Sequence, residues 1–278
     1  MKFVQLALVS LGVLAAHPVF AQEERKPDVP YVATPQVTVD EMLRVAGVGP
    51  QDFVLDLGSG DGRIVITAAK KFGARGLGVD IDWRLVGQAE ENARLAGVAD
   101  RVRFLEQDLF QADFGQATVI TTYLLPFYML KLRPKLLQLK PGTRIVSHDF
   151  DFGDWRPDRK TNVRKNVFLW IVPAPAAGRW RARLELPPIE RLLDLELKQR
   201  YQEVTAHARL NGVPSQVWEA ALVGDRLSFV VVDTTDRDDE ASLYFDGRVN
   251  GDVIEGEVTR GVGATRSVTR WRAARVAR

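Results

Sequence analysis

Residues 54–63 read VLDLGSGDGR, a short apolar strand that passes through a glycine-rich turn into a helix. Three glycines at alternate positions, Gly58, Gly60 and Gly62, let the backbone turn tightly and approach a ligand closely. The spacing is G-x-G-x-G instead of the G-x-G-x-x-G of dinucleotide-binding folds, and no Gly-Lys-Ser/Thr follows it. A Walker-type phosphate loop is therefore excluded.

Acidic residues accompany this turn. Asp56 precedes it, and Asp61 lies within it together with Ser59. Both carboxylates would repel a pyrophosphate at the helix N-terminus, whereas they would attract a cationic ligand. Asp80 closes the next predicted strand, 24 residues after Asp56, at the usual place for a carboxylate that accepts both hydroxyls of a ribose. The turn therefore favours a positively charged ligand that carries a ribose.

Strands and helices alternate on both sides of the turn. The predicted strands cover residues 53–55, 76–79, 102–105, 118–125 and 143–147, and the predicted helices begin at Thr38 and cover 64–72, 83–96 and 127–139. This alternation predicts parallel βαβ units, and so an α/β, Rossmann-like fold with a mostly parallel sheet. Asp108 and Leu109 follow the third strand, where Asp108 is placed to hydrogen-bond an adenine amino group. Because parallel strands end at one edge, the acids after successive strands converge on one crevice.

The pattern changes near residue 150. Residues 151–166 are charged and loop-like, 167–172 form one more predicted strand, and PAPAA at 173–177 is typical of a linker. Beyond it only short strands are predicted, about eight, separated by turn signals such as Asn211-Gly212. This favours a small antiparallel β-barrel or sandwich, with a lipocalin-like barrel as one option. The chain thus divides into a signal peptide (1–21), an α/β domain (22–174) and an all-β domain (178–278).

The N-terminus differs in composition from the rest of the chain. Lys2 is followed by an apolar run over residues 3–16 and by a small-residue end at Ala21. This pattern predicts a secretory signal peptide cleaved after Ala21, and a periplasmic mature protein. An uncleaved anchor is the alternative, although the run is shorter than the roughly 20 residues of a spanning helix. No other segment predicts a membrane span.

Composition bounds the chemistry further. Apolar residues make up 46% and charged residues 27% of the 278 residues, as in ordinary globular proteins, and the net charge is +2. So small a charge predicts no general attraction to nucleic acid. The absence of cysteine excludes disulfides and thiolate chemistry, and three separated histidines do not indicate a metal site. The basic stretch 156–165 is predicted as a solvated loop, with a nucleic-acid or acidic-partner contact as the alternative.

Three motifs resemble those of class I S-adenosylmethionine-dependent methyltransferases, namely DLGSGDG at 56–62, GVD at 78–80 and QDL at 107–109. More narrowly, PYVATP at 30–35 followed by DLGSGDGR resembles the small seven-strand protein-lysine methyltransferases of mitochondria and their bacterial relatives. The resemblance covers roughly residues 30–150 and implies S-adenosylmethionine as cofactor, its methionine portion enclosed by Tyr31 and Thr34. The predicted cofactor-binding residues are Tyr31, Thr34, Asp56, Gly58, Ser59, Gly60, Asp61, Gly62, Asp80, Asp108 and Leu109.

The strand end TTYLLP at residues 121–126 is similar in position to the acceptor site of class I enzymes. It lacks the Asn/Asp-Pro-Pro-Tyr arrangement of enzymes that methylate amide or base amino groups, which argues against that chemistry. Tyr123, with Phe127, Tyr128 or Trp155, could form an aromatic rim for an ammonium group. Core packing is nevertheless the favoured interpretation of Phe127 and Tyr128.

His148 is the candidate base, because it follows the predicted strand at residues 143–147 and would open onto the same crevice. A histidine held structurally by a neighbouring carboxylate is the alternative. The leading hypothesis is a protein-lysine N-methyltransferase with a protein substrate. Two alternatives stay open: a small-molecule methyltransferase whose β domain supplies the ligand pocket, and a non-catalytic cofactor-binding or interaction module. The predicted export motivates the second alternative, because S-adenosylmethionine is made in the cytosol.

Overall fold

The computed structural model describes residues 30–186, 190–234, 241–261 and 266–277, which form two separate sheets. The predicted signal peptide lies outside the described residues. Among the residues described, no helix is long and apolar enough to cross a membrane.

The first sheet has seven strands, flanked by four helices. Its strands are β1 (Phe53–Leu57), β2 (Arg75–Asp80), β3 (Val102–Glu106), β4 (Val119–Thr122), β5 (Arg144–His148), β6 (Arg159–Val163) and β7 (Lys165–Ile171), and the helices are α1 (Gln36–Val45), α2 (Arg63–Phe72), α3 (Trp83–Ala96) and α4 (Pro126–Leu136). The strand order is β3-β2-β1-β4-β5-β7-β6, in which β1 to β5 are parallel and the other pairings antiparallel. The predicted α/β class is confirmed.

The parallel strands form because they are short apolar runs that helices cover on both faces. β1 and β5 are buried along nearly their whole length. α2 and α3 each end at a glycine in the left-handed conformation, Gly73 and Gly97, as helix ends prefer. Asp82 caps α3 by accepting a hydrogen bond from the Arg84 backbone. Because β1, β2 and β4 are parallel, their carboxyl ends meet at one edge of the sheet, and a crevice opens above that edge.

Three local predictions for this domain are wrong. The strand predicted over residues 118–125 ends at Thr122. α1 begins at Gln36 and not at Thr38, because the Thr38 side chain is buried and donates to the carbonyl of Val163 at 3.3 Å instead of capping a helix. The basic stretch predicted as a loop contains β6, which pairs with β7 at the edge of the sheet. Its exposed charged residues look loop-like in sequence, but they are also what exposed sheet edges carry.

The second sheet has nine antiparallel strands, one more than predicted. They are β8 (Gly178–Leu184), β9 (Arg191–Arg200), β10 (Glu203–Leu210), β11 (Val213–Ser215), β12 (Val217–Val223), β13 (Arg226–Asp233), β14 (Ala241–Asn250), β15 (Val253–Arg260) and β16 (Ser267–Ala277). Their order is β11-β10-β9-β8-β16-β15-β14-β13-β12. The sheet curls until β10 lies beside β12, which nearly closes it into a barrel. β11 escaped prediction because it has only three residues.

Packed side chains fill the interior of this sheet across its described strands. Every second residue of β8, β9 and β13 is buried, which places one face inside. Trp180, Phe229, Phe245 and Trp271 occupy the centre, and the rings of Phe229 and Phe245 stack with centroids 4.6 Å apart. A lipocalin holds a ligand in this position. In the described strands these side chains occupy the interior, so a ligand pocket of this domain would lie outside that core.

The connection between the two sheets is not the free linker that the sequence predicts. Ala174 and Ala176 are buried in the core of the second sheet. The indole of Trp180 donates to the carbonyl of Ala176 at 2.9 Å, and the side-chain amide of Gln199 donates to the carbonyl of Ala174 at 2.9 Å. Small residues are present here because they must fit against a core. The second domain therefore begins a few residues before 178.

Candidate cofactor and acceptor site

A cavity of about 400 Å³ lies over the carboxyl ends of β1, β2 and β4. It is bounded by residues 30–35, termed the leading segment, by residues 58–62, termed the glycine loop, and by the start of α4. Its lining residues are Pro30, Tyr31, Val32, Thr34, Asp56, Gly58, Ser59, Asp61, Arg63, Ile64, Val79, Asp80, Ile81, Asp82, Leu85, Gln107, Asp108, Leu109, Phe110, Tyr123, Leu124, Phe127, Tyr128 and Lys131. Among the predicted site residues, Gly60, Gly62 and His148 do not line it.

The glycine loop needs its glycines for conformation and for space. Gly58, Gly60 and Gly62 have backbone φ angles of +80°, +52° and +79°, where side chains other than that of glycine are disfavoured. A Cβ on Gly60 would lie 2.1 Å from Cε2 of Tyr31, so the Tyr31 ring rests directly on the loop. A Cβ on Gly62 would lie 2.7 Å from the ring of Phe104. The lack of side chains at Gly60 and Gly62 thus leaves room for the rings of Tyr31 and Phe104.

Ser59 offers a hydrogen-bonding group to a ligand. Its side chain is buried and lines the cavity, yet its hydroxyl has no hydrogen-bond partner within the described residues. A Cβ on Gly78 would lie 2.6 Å from that hydroxyl, which explains the glycine in the GVD motif. Buried hydroxyls are normally paired. A ligand in the cavity would supply the missing partner.

Asp56 is a buried carboxyl at the end of β1. It is 2% exposed, and the Thr121 hydroxyl donates to its Oδ1 at 2.7 Å. Burial raises the pKa of Asp56 to about 7, and the negative charges of Asp80 and Asp61 act in the same direction against the Thr121 hydrogen bond. A cation in the cavity would favour the ionised form. Asp56 is therefore suited to a positively charged ligand.

Asp80 and Asp108 each keep capacity for a ligand. The carboxylate of Asp80 accepts from the backbone of Gly60 at 2.8 Å and of Asp82 at 3.0 Å, one bond to each oxygen. Asp108 accepts from the backbone of Phe110 at 2.9 Å, and Leu109 contributes an apolar surface beside it. A carboxylate can accept about four hydrogen bonds. Both acids therefore combine a structural bond with free acceptor sites facing the cavity.

The leading segment is fastened over the glycine loop. Arg63 pairs with Asp61 at 2.6 Å and donates to the carbonyl of Thr34 at 2.9 Å. Burial alone would raise the pKa of Asp61, but the hydrogen bonds and charge of Arg63 outweigh it and keep that pKa low. Burial and the Asp61 charge raise the pKa of Tyr31. Asp61 is thus ionised and engaged by Arg63, which reduces the attraction predicted between Asp61 and a cation.

His148 lies behind the cavity wall and not on it. Its ring packs on that of Tyr123 with centroids 4.0 Å apart, and its Nδ1 lies 3.2 Å from the Thr34 hydroxyl. Nε2 is buried without a hydrogen-bond partner in the described structure. Burial lowers the pKa of His148, and the charge of Lys165 adds to this against that of Asp149. Asp149 pairs with Lys165, so Thr34 takes the place of the carboxylate expected in the structural alternative.

The aromatic rim differs from the prediction in two residues. Phe127 is 70% exposed at the cavity mouth, so the favoured core-packing interpretation is wrong for it. Trp155 is fully buried in the core of the first domain and is no part of the rim. Tyr123 and Tyr128 line the cavity.

Lys131 was missed by sequence reasoning. It lines the cavity, with Nζ 4.0 Å from the centre of the Phe110 ring. It lies one helical turn after Phe127, and that spacing on a helix starting at Pro126 is the signal that could have found it.

These residues fit S-adenosylmethionine. The cavity combines an orphan hydroxyl, a strand-end carboxylate with free acceptor sites and a buried carboxyl that a cation would ionise. Ser59 and Asp80 can bind the polar groups of a nucleoside, and Asp56 lies where positive charge is favoured. The donor set therefore matches a cationic, ribose-containing molecule.

Comparisons with known proteins agree with this geometry. Residues 56–159 match the ANTKMT methyltransferase domain. A protein-lysine N-methyltransferase of Saccharolobus islandicus is 41% identical over 153 residues, which cover 52% of this chain and 95% of that protein. This chain belongs to the ANTKMT-type methyltransferase family. Its cofactor is S-adenosylmethionine.

Further relatives extend the comparison of this ANTKMT-type methyltransferase. The adenine nucleotide translocase lysine N-methyltransferase of Mus musculus is 33% identical over 154 residues, which cover 55% of this chain and 66% of that protein. The crystal structure of an RNA methyltransferase from Salinibacter ruber in complex with S-adenosylhomocysteine is 54% identical, with a TM-score of 0.51, over 52% of this chain and 97% of that one. The matches thus account for about half of this chain.

Proposed function

We propose that this methyltransferase acts on the side-chain amine of a lysine in a protein. The observation that carries the proposal is the match to almost the full length of the Saccharolobus islandicus protein-lysine N-methyltransferase. The likeness to the lysine N-methyltransferase of Mus musculus supports the same acceptor. The strand end at residues 121–126 also lacks the motif of amide and base methylation.

The charges around the cavity suit a cationic donor and an ammonium acceptor. Five cavity-lining carboxyl groups, Asp56, Asp61, Asp80, Asp82 and Asp108, face two lining cations, Arg63 and Lys131. Asp61 is engaged by Arg63, and Asp82 pairs with Arg84. The remaining acids draw positive charge toward the site.

The aromatic rim has to desolvate the acceptor amine. Lysine has an ordinary pKa of about 10.4, and desolvation against apolar and aromatic side chains lowers it. Tyr123, Phe127 and Tyr128 supply such a surface at the mouth. The cofactor, when bound, supplies an activated methyl group, so the protein mainly has to align the neutral amine with it.

Thr34 offers the proton of the amine a route to His148. Thr34 lines the cavity and contacts His148 Nδ1, so its hydroxyl lies between the cavity and the imidazole. As a base His148 would act through Thr34, because its own nitrogens do not face the cavity. We propose this relay as the role of the predicted base.

Incubation of the protein with labelled S-adenosylmethionine and a periplasmic extract tests the acceptor. We expect labelled protein bands whose hydrolysates contain methylated lysine, and a rate that rises with pH between 6 and 9 as the bound amine loses its proton. The Asp80→Ala variant, which would lose the proposed ribose contact, is the control and should label the bands more weakly. Label only in the small-molecule fraction would contradict the proposal.

RNA is the second candidate acceptor, because the Salinibacter ruber relative at 54% identity is an RNA methyltransferase. The same incubation separates the two. Label that ribonuclease removes and protease leaves would favour RNA.

We also propose that the N-terminal residues 1–21 direct export and are removed after Ala21. The charged start, apolar run and small-residue end support this. Mass spectrometry of protein purified from its source should find Gln22 at the N-terminus. An intact Met1 in the membrane fraction would favour the anchor instead.

A further inference from the structure

α4 extends from the cavity to the second domain. Its first two turns carry Phe127, Tyr128 and Lys131, which line the cavity. Pro134 lies inside the helix and has no N–H to donate to the carbonyl of Leu130. α4 therefore lacks one backbone hydrogen bond, and its position depends more heavily on tertiary contacts.

Asp154 joins α4 to the second domain. It accepts hydrogen bonds from Arg133 of α4, from Nη2 of Arg200 at 2.5 Å and from the hydroxyl of Tyr201 at 3.2 Å. Arg200 ends β9, and Tyr201 lies in the turn to β10. Arg133 also donates to the carbonyl of Phe152 at 2.8 Å. One carboxylate thus links the helix of the cavity wall to the tip of a hairpin from the other sheet.

Both residues of that turn are held by the first domain. The Tyr201 ring stacks on Trp155 with centroids 5.9 Å apart. The Trp155 indole donates to Oε1 of Gln202 at 2.9 Å, and Nε2 of Gln202 donates to the carbonyl of Arg156 at 2.6 Å. Trp155 is itself fully buried against Phe152. The turn therefore rests on a buried part of the first domain.

The backbone of Tyr201 is strained. Its φ is +56°, a left-handed conformation that costs free energy for any residue with a side chain. Glycine or asparagine is preferred at such positions in two-residue hairpin turns. Strain of this kind persists where surrounding contacts hold the residue, and it is concentrated at functional sites. The presence of tyrosine at this strained position indicates that its contacts with Asp154 and Trp155 are important.

We propose that the β9–β10 turn is a positioning element for methyl transfer. Through Asp154 it holds α4, so that Phe127, Tyr128 and Lys131 stay in place on the acceptor side of the cavity. Asp154 and Tyr201 do not line the cavity and act through the helix. The proposal rests on the proposed function in one respect, namely that the acceptor binds at this wall. Relatives that match only half of this chain would have to hold the helix by other contacts.

Two variants of the full chain test the proposal. Asp154→Asn removes the charge that both arginines bind, and Tyr201→Gly removes the ring while relieving the backbone strain. Asp246→Asn is the matched control, because Asp246 is also paired with an arginine and is 46% exposed against 49% for Asp154. It lies on β14, and its partner Arg226 on β13.

Steady-state kinetics and calorimetry separate positioning from general damage. We expect kcat/KM for the protein acceptor to fall at least about fivefold in both variants, since small misplacements of a binding wall cost rate steeply. The dissociation constant of S-adenosylmethionine should stay within about twofold, because β1 and β2 are untouched. Asp154→Glu should recover part of the loss. Unchanged kinetics in both variants, or cofactor affinity falling in parallel with activity, would overturn the proposal.

Hydrogen exchange gives a result that does not depend on the acceptor. Amides of residues 127–133 should exchange about tenfold faster in Asp154→Asn and at the wild-type rate in Asp246→Asn. Equal rates in all three proteins would show that the turn does not hold α4. If the wild type methylates no lysine, the proposed function fails, whereas the exchange result still decides whether α4 is held by this contact.

Discussion

Replacing Asp56 by asparagine should stabilise the protein in the absence of cofactor, by an amount that grows with pH. Asparagine keeps the oxygen that accepts the Thr121 hydroxyl at 2.7 Å, and it has no charge to bury. Wild-type Asp56 must either keep a proton or place a buried charge near Asp80 and Asp61, and burial raises its pKa to about 7. The stabilisation therefore follows the titration of this one group.

The sign and size follow from the difference in pKa between the folded and unfolded states. In the unfolded chain the Asp56 carboxyl has its ordinary pKa of 3.8. From pH 3.8 to about 7 the folded protein holds a proton that the unfolded chain has lost, so wild-type stability falls as pH rises and then levels off. Between pH 5 and 8 the fall spans about two pH units at about 1.36 kcal/mol each, or about 2.7 kcal/mol.

Urea unfolding of the wild type and Asp56→Asn at pH 5 and pH 8, without cofactor, measures this difference. The advantage of the variant should be about 2.7 kcal/mol larger at pH 8 than at pH 5. An equal difference at both values would refute the argument, because it would mean that folding does not perturb the proton on Asp56. The same variant should bind S-adenosylmethionine at least about tenfold more weakly, since it cannot become an anion beside the cation.

Three further substitutions test other contacts. Asp80→Ala should weaken S-adenosylmethionine binding by about 1.5 to 3 kcal/mol and leave the fold intact, and unchanged affinity by calorimetry would remove Asp80 from the site. Gly60→Ala should reduce that affinity at least about tenfold, because its Cβ would meet the Tyr31 ring at 2.1 Å. Adding this change to Tyr31→Ala should cost less than it does alone, and full additivity would count against the clash. Asp233→Asn should cost about 3 to 5 kcal/mol in urea unfolding, since it removes the charge with which Arg191, 3% exposed, pairs at 3.0 Å. A loss below about 1 kcal/mol would be inconsistent with a buried pair.

The fold of the first domain was predictable because its signals are local. Each parallel strand is a short apolar run that ends at a glycine, an acid or a turn, and α3 was predicted with its observed bounds. The convergence of Asp56, Asp80 and Asp108 followed from the rule that parallel strands end at one edge. Topology alone therefore brought these acids to one cavity.

The errors lie where distant parts of the chain decide the outcome. β6 is the exception, because its partner β7 follows it directly in the chain and the polar composition of β6 concealed the strand. Trp155 is buried by Phe152 and by Tyr201, a residue 46 positions away in the chain. The contact of His148 with Thr34 joins segments 114 residues apart. Single-sequence patterns report neighbours along the chain, and Tyr201 and Thr34 are far in sequence from the residues that they contact.

The filled interior of the second sheet bears on how this domain can diverge. Along β8, β9 and β13 the inward residues are fixed by a close-packed core, whereas the residues between them are exposed or half-buried. Nearly half of each strand can consequently change in charge and size at little cost in stability. The outer surface of this domain can therefore be changed extensively, by natural selection or by design. The β9–β10 turn that contacts the first domain need not change with it.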